Sequence, residues 1–195
     1  MESTLSKTDI ETFWLRLYFD LTEGFELAAI KRAYLDFSRT LENLPKDEDR
    51  KKILKENWLK VIQSELKVLL SSQFSDYNKF TAWHSTFCYK LRTANSEYNL
   101  TQGQAQKWIN MTLKYLYAFG EKRITGITYN YPYFHVPIDN IVLKQLALEG
   151  IENPFDSPWS KIKNYADYQL YQQSIRDYFI KEIPMDVEFR LFNKA

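Results

Sequence analysis

The chain has 195 residues, of which 45% are hydrophobic and 26% are charged, so it can bury an ordinary core without disulfides or metals. Its 26 basic and 25 acidic residues leave a net charge of +1, which excludes nonspecific binding of a polyanion through bulk positive charge. Only five glycines and six prolines are present, which disfavours a turn-dense all-β fold.

The cysteine content and the N-terminal segment indicate in which cellular compartment the protein lies. The single cysteine, Cys88, cannot form an internal disulfide and suits a reducing compartment. Residues 1–14 contain acids where a secretory signal would need a basic start and an apolar run. The uncharged stretch 124–138 is too short and too polar to cross a bilayer. We therefore expect a cytoplasmic protein with no membrane partner.

Apolar residues recur at steps of three and four over the first half of the chain, which predicts a series of helices. The first helix is expected from Asp9 to about Leu21, and its apolar residues are Ile10, Phe13, Trp14, Leu17 and Tyr18. The next helices are predicted over Phe25 to Leu44, over Asp47 to Leu70, after Asp76 with Phe80, Trp83, Phe87 and Leu91, and over Thr101 to Phe119. Gly120 is a natural C-terminal residue for the last of these.

The residue types change after the helix that ends at Phe119. Residues 124–136 are β-branched and aromatic, which predicts a long connection or a short hairpin. Because Pro137 suits the first position of a helix, the next helix is expected from Pro137 to Leu148. A turn-rich link leads to a last long helix, roughly Ile162 to Ile180.

Familiar motifs for metals, nucleotides and nucleophilic cysteines are absent or weak. Two histidines and one cysteine cannot supply a zinc site of the usual kind without carboxylates from unspecified places. Five scattered glycines form no phosphate-cradling loop. His84 and Cys88 lie four residues apart, either as a nucleophile pair or, as we favour, as a buried core thiol beside an aromatic face. No metal and no cofactor are expected.

Two short motifs carry chemistry. The first is the run Gly103-Gln104-Ala105-Gln106-Lys107-Trp108-Ile109-Asn110, and the second is Val136-Pro137-Ile138-Asp139. Together they resemble the helix-hairpin-helix DNA glycosylase superfamily, in which a lysine in a G-x-x-x-K-x-x-N context precedes an aspartate that follows V/I-P-V/I. The separation of 32 residues is similar to that of the archaeal 8-oxoguanine glycosylase branch, whose hairpin is also degenerate.

This resemblance implies a fold and an activity. The fold would be mainly α, a single compact domain over residues 1–195 with a glycosylase-like arrangement, a degenerate hairpin and, as an option, two lobes of about 1–95 and 96–195. The activity would be removal of a damaged or modified base from DNA, the expected partner. Lys107 would attack the sugar C1′ and form a Schiff base, and Asp139 would stabilise the developing positive charge and accept a proton. Expected substrate contacts are Gln106, Asn110, Met111, His135 and Trp159.

Because both groups would act on one sugar, the proposed chemistry predicts that they lie close together. Lys107 Nζ and the Asp139 carboxylate should lie within about 10 Å of each other across one pocket. Trp108, Ile109 and Leu113 should be buried against the helix that begins at Pro137.

Two plainer interpretations stay open. Gln104, Lys107, Met111 and Lys114 recur at steps of three and four, so Lys107 would lie on a solvated stripe and Asp139 would only favour its own helix. The alternative function is a non-catalytic helical interaction protein, an accessory factor of a mobile element or a defence system, with an unknown protein partner. A small excess of basic residues over positions 101–126 is a weak indication of DNA binding.

Overall fold

The computed structural model describes residues 4–194, and over this range the chain forms an all-α fold without β-strands. The helices are α1 (Lys7–Tyr18), α2 (Phe25–Phe37), α3 (Glu48–Ser71), α4 (Tyr77–Arg92), α5 (Gln102–Phe119), α6 (Asn140–Leu148), α7 (Tyr165–Tyr178) and α8 (Pro184–Phe192). Three short 3₁₀ helices cover Ser38–Thr40, Tyr131–Tyr133 and Trp159–Lys161. The mainly helical class predicted from the sequence is confirmed.

Short polar side chains explain where most of the helices begin. At six N-caps a side-chain oxygen accepts a backbone N–H of the first turn, and these residues are Ser6, Asp47, Asp76, Thr101, Asp139 and Asn164. Such a cap contributes about 1 kcal/mol to helix stability. Asp76 therefore caps the fourth helix as predicted, and Gly120 follows the last residue of the fifth.

The start of α6 corrects a prediction. The helix begins at Asn140 and not at Pro137, and Asp139 is its N-cap in an extended conformation. The two residues on either side of Pro137 use their backbone groups elsewhere: Val136 bonds to the side chain of Gln172 and Ile138 to that of Gln106. These long-range bonds hold the segment extended and delay the helix by three residues.

Other boundaries differ from the predictions for similar reasons. Helix α2 ends at Phe37 because the chain tightens into the 3₁₀ turn Ser38–Thr40, and α7 begins only after its cap Asn164. The segment 124–136 consists of turns and one 3₁₀ helix, so its described residues form no hairpin. The final helix, α8, was not predicted.

Helix α5 occupies the centre of the fold, with α2 as its most extensive neighbour and α4, α7 and the 3₁₀ helix Trp159–Lys161 also against it. Trp108 packs against Tyr34, Phe37 and Trp58, and its indole N–H donates to the carbonyl of Ile30 at 3.0 Å. The predicted burial of Trp108, Ile109 and Leu113 is confirmed. Trp108 itself lies against α2 and α3, and not against α6 as expected.

Helix α1 lies on the outside. Thr12 and Leu15 on one face, with Phe19 just after the helix, are partly shielded by the rest of the chain. The opposite face carries four large apolar residues that are between 49% and 64% exposed, namely Ile10, Phe13, Trp14 and Leu17. We call these four residues the outer stripe. An amphipathic stripe ordinarily faces a core, so this arrangement is unusual.

Candidate active site

Lys107 of α5 and Asp139 at the N-terminus of α6 form a direct ion pair. Nζ of Lys107 donates to Oδ2 of Asp139, while Oδ1 accepts the backbone N–H of Val142 at 2.8 Å. The Lys107 side chain is 5% exposed and that of Asp139 is 20% exposed, so the carboxylate marks the solvent side of the pair. The structure thus brings together the two residues that the sequence motifs single out.

Two glutamines fix the segment that carries Asp139. Gln106 donates from Nε2 to the carbonyl of Ile138 at 2.8 Å and accepts the Ile138 N–H at 3.1 Å. Gln172 of α7 makes the same pair of bonds to Val136, at 2.8 and 2.9 Å. Each amide side chain replaces the partner that a neighbouring strand would supply, so the extended segment has its hydrogen bonds without a sheet. Asp139 is consequently held against α5.

A second ion pair lies on the same side of α5. Lys114, two turns after Lys107, contacts the Glu188 carboxylate at 2.6 Å, and both side chains are almost fully buried. The ammonium also lies 4.7 Å and 4.4 Å from the ring centroids of Phe189 and Phe192, within range of cation–π attraction. The α5–α8 contact therefore rests on a buried charge held by a carboxylate and two aromatic faces.

A third carboxylate, Asp36 of α2, completes the cluster. It accepts a hydrogen bond from the Tyr115 hydroxyl at 2.7 Å. Burial raises the pKa of Asp36 and of Glu188, and the positive charge of Lys107 opposes the rise at both. Lys107 therefore interacts electrostatically with three carboxylates, of which Asp139 is the one in direct contact. Such a concentration of titratable groups around one amine is typical of functional sites.

Asp36 and Glu188 were missed in the sequence. Each interrupts an apolar face at helical spacing: Asp36 follows Ala29 and Ala33, and Glu188 lies between Pro184 and Leu191. A carboxylate in such a register indicates a buried partner, because an unpaired charge is costly inside a protein. This pattern was available for Asp36, whereas Glu188 lies in the helix that was not predicted.

A buried polar network lies on another side of α5 and uses both histidines. His84 Nε2 lies 3.0 Å from Oδ1 of Asn110, whose amide donates to the Tyr168 hydroxyl at 2.8 Å, and this hydroxyl lies 3.0 Å from Nδ1 of His135. Burial lowers the pKa of His84 to about 4 and lowers the pKa of His135 well below its usual value. Both rings are therefore neutral at pH 7.

Cys88 is a core thiol. Its Sγ is fully buried and lies 3.7 Å from Nδ1 of His84, and burial raises the pKa of the thiol to about 12. Because the thiolate is the nucleophilic form, this environment suppresses its reactivity. The favoured interpretation of the His84 and Cys88 pair is confirmed.

The five residues predicted to contact substrate are all buried inside the fold. Gln106, Asn110 and His135 are at most 1% exposed and take part in the hydrogen bonds described above. Met111 lies in the core beside them, and Trp159 is largely buried next to the first turn of α5. Their role in substrate binding stays a prediction.

Gly103 allows that close approach of Trp159. A Cβ at position 103 would lie 1.8 Å from the Trp159 carbonyl oxygen, so no larger residue fits there without a shift of the backbone. Its N–H donates to the carbonyl of Ile162 at 3.1 Å, so this amide is used inside the protein and is not offered to a phosphate. Gly103 therefore serves close packing between α5 and the segment that carries Trp159.

The interpretation of α5 as carrying a solvated polar stripe is wrong. The residues Gln104, Lys107, Met111 and Lys114 are all buried, so they form no solvated stripe. Three of the four basic residues in the local excess over positions 101–126 contact a carboxylate within the chain. Lys107 and Lys114 are neutralised by Asp139 and Glu188, and Arg123 contacts Glu11 at 3.3 Å.

Comparison of the chain with protein-family models, with curated proteins and with solved structures gives no match. Within residues 4–194 no group of three or more His, Cys, Asp or Glu side chains is arranged to hold a metal ion. None of the helices described for this range combines the length and apolar character needed to cross a bilayer.

Proposed function

We propose that the chain is a DNA glycosylase and abasic-site lyase that acts on a damaged or modified base, with Lys107 as nucleophile. The observation that carries this proposal is the contact between Lys107 Nζ and the Asp139 carboxylate at the partly exposed N-terminus of α6. The resemblance of the two motifs to helix-hairpin-helix glycosylases supports the same assignment.

The chemistry follows from the roles of the two groups. The Lys107 ammonium gives one proton to the base, the bond between C1′ and the base nitrogen breaks with the electron pair leaving with the base, and the freed amine bonds to C1′. The Asp139 carboxylate faces the positive charge that develops on the sugar and then takes a proton from the new ammonium. Loss of a proton from the new ammonium and opening of the sugar ring give a Schiff base. Removal of a proton from C2′ then breaks the C3′–O bond, so the strand is cut and the 3′ phosphate leaves.

The surroundings of Asp139 suit a group that stabilises positive charge on a sugar. Its Oδ1 accepts the Val142 N–H at the positive end of the α6 dipole, so the carboxylate is fixed in place before substrate arrives. Its greater exposure makes the Asp139 side the route by which an extruded nucleotide reaches Lys107. The nucleotide would separate the two side chains and lie between them.

Borohydride trapping tests the proposal. Borohydride reduces the Schiff base to a stable amine, so wild-type protein incubated with abasic-site DNA should yield a covalent protein–DNA band at low salt. Lys107→Gln should abolish the band, because the amide cannot attack C1′. Asp139→Asn should slow its formation at least tenfold while keeping an N-cap acceptor.

A matched control separates chemistry from surface charge. Lys144→Gln removes an exposed lysine on α6, near the site but outside the ion pair, and should trap as well as wild type. Thermal unfolding of each variant reports whether it is folded. If wild-type protein traps no DNA over a panel of lesions and an abasic site, the glycosylase proposal fails.

The outer stripe of α1 favours the second candidate, a non-catalytic interaction protein. Its four large apolar side chains lie on the surface, where proteins often bind partners. In this function Lys107 and Asp139 would only join α5 to α6. Both candidates place the protein in a reducing, cytoplasmic compartment, which the lone buried Cys88 supports.

A further inference from the structure

The outer stripe of α1 is held in place by the rest of the molecule. On a flank of the helix Glu11 contacts Arg123 at 3.3 Å, and just after the helix Phe19 packs edge-on against Phe119 with ring centroids 4.7 Å apart. The Arg32 guanidinium lies 3.8 Å from the centre of the Tyr18 ring and donates to its hydroxyl. These contacts fix α1 against the rest of the molecule, and its apolar face therefore points outward.

We propose that two copies of the chain pair through the outer stripes of their α1 helices, packed antiparallel about a two-fold axis near Phe13. This surface is independent of the proposed glycosylase function. A symmetric pair of this kind places the same patch on both subunits, so its residues must complement themselves. The sequence of α1 meets that condition in both its apolar and its charged positions.

The apolar residues match across such an axis. Ile10 and Leu17, one before and one after the axis, would lie beside each other from the two copies, and Phe13 and Trp14 would meet at the centre. The rings of Phe13 and Trp14 already pack edge-on, with centroids 5.4 Å apart, so they form one continuous apolar surface. Each helix would place its stripe against that of the other copy.

The charges match as well. Asp9 and Arg16 are seven residues apart, so they lie on the same flank of the stripe, and the two-fold axis brings Asp9 of one copy close to Arg16 of the other. Among residues 4–194 no acidic side chain forms an ion pair with Arg16 within its own chain. In the dimer, Asp9 of each copy would supply an acidic partner for Arg16 of the other copy.

The size of the surface indicates a weak dimer. Four large side chains, each about half to two-thirds exposed, together with their flanks would bury roughly 1,000 Å² over both copies, at the lower limit for a specific interface. A lipid surface fits less well, because the polar part of α1 carries Lys7 and Arg16 against Asp9 and Glu11. Helices that lie on membranes are usually rich in basic residues on that face.

Sedimentation velocity over increasing protein concentration tests the dimer. The wild-type mass should rise from the 23.4 kDa of one chain towards twice that value. Leu17→Glu should abolish the rise, whereas Leu170→Glu on α7 should leave it unchanged. The two leucines are 64% and 68% exposed, so neither substitution disturbs the core and the pair is matched for added charge.

Charge complementation tests the register. Asp9→Arg alone places Arg beside Arg16 of the second copy, and Arg16→Asp alone places Asp beside Asp9, so each variant should dimerise at least tenfold more weakly than wild type. A mixture of the two variants restores both opposite-charge pairs and should form heterodimers. Circular dichroism checks that Asp9→Arg, which loses the capping box with Ser6, keeps its helix.

Three results would overturn the proposal. A wild-type protein that stays monomeric at all concentrations excludes the pairing, and so does equal association of the Leu17→Glu and Leu170→Glu variants. Flotation of wild-type protein, but not Leu17→Glu, with phosphatidylcholine–phosphatidylserine vesicles in the absence of self-association would assign the stripe to a lipid surface. None of these outcomes depends on base excision, since trapping by Lys107 is measured separately.

Discussion

Helix α1 has a regular apolar stripe yet exposes it, whereas helix α5 carries two lysines, three glutamines and an asparagine and is buried along most of its length. The difference lies in what surrounds them. Five polar residues of α5 have partners on other elements, and these pairs are Gln104 with Thr40, Gln106 with Ile138, Lys107 with Asp139, Asn110 with His84 and Tyr168, and Lys114 with Glu188. The outer stripe of α1 has no cover of this kind.

Amphipathicity shows which face of a helix is apolar but not whether something covers that face. Polar side chains can be buried when each finds a partner, and the pairing then specifies one arrangement of helices. Three sets of substitutions test this contrast between α1 and α5.

The largest effect is expected from paired tryptophan truncations. Trp108→Ala in α5 should lower the free energy of unfolding by about 3–5 kcal/mol. The substitution leaves a cavity where the indole packs against α2 and α3, and it leaves the buried Ile30 carbonyl without its indole N–H donor. Trp14→Ala in α1 should change it by less than about 0.5 kcal/mol at concentrations where the chain is monomeric. Urea unfolding measures both, and similar losses in the two variants would contradict the contrast.

The next effect concerns the buried ion pair of α5 and α8. Lys114→Met should lower the free energy of unfolding by about 3 kcal/mol at pH 7, because the Glu188 carboxylate is left buried without its cation. Adding Glu188→Leu should restore most of the loss, since two apolar residues can replace a buried pair. Urea unfolding of the two single variants and the double variant forms a complete cycle. Additive losses would show that the two side chains do not interact.

The smallest effect is a pH dependence from the histidine that binds Asn110. Burial lowers the pKa of His84 to about 4 from its usual value of 6.5, so the unfolded chain takes up the proton first as the pH falls. Stability from this group is complete above about pH 6.5, and roughly 2 kcal/mol should be lost by about pH 5. His135 acts in the same direction, whereas the raised pKa values of Asp36 and Glu188 act in the opposite one.

His84→Gln isolates this contribution. The variant should unfold with a smaller dependence on pH between about 5 and 6.5, because one of the two neutral buried rings is gone. The carboxylates are the same in both proteins, so their contribution cancels in the difference. Parallel pH profiles for wild type and His84→Gln would mean that His84 is already charged in the folded protein or remains uncharged in the unfolded chain.

Local chemistry in the sequence predicted much of the helical framework. Asp76 and Thr101 lie at helix starts and Gly120 at a helix end because caps act on neighbouring backbone groups, which sequence spacing records. The start of α6 was misplaced because Pro137 satisfies the same local rule, and the side chains that override it lie 32 and 36 residues away. Long-range hydrogen bonds leave no such local pattern.

The candidate site divides in the same way. The sequence predicted the helix that carries Lys107, the presence of a helix near Asp139 and, through the resemblance of the two motifs, the choice of these two residues. That Lys107 and Asp139 touch, that Asp36 and Glu188 share their surroundings, and that α5 is central while α1 is outside follow from how the helices pack. The physical reason is that periodicity and caps act within a few residues, whereas burial and charge pairing depend on which elements pack together.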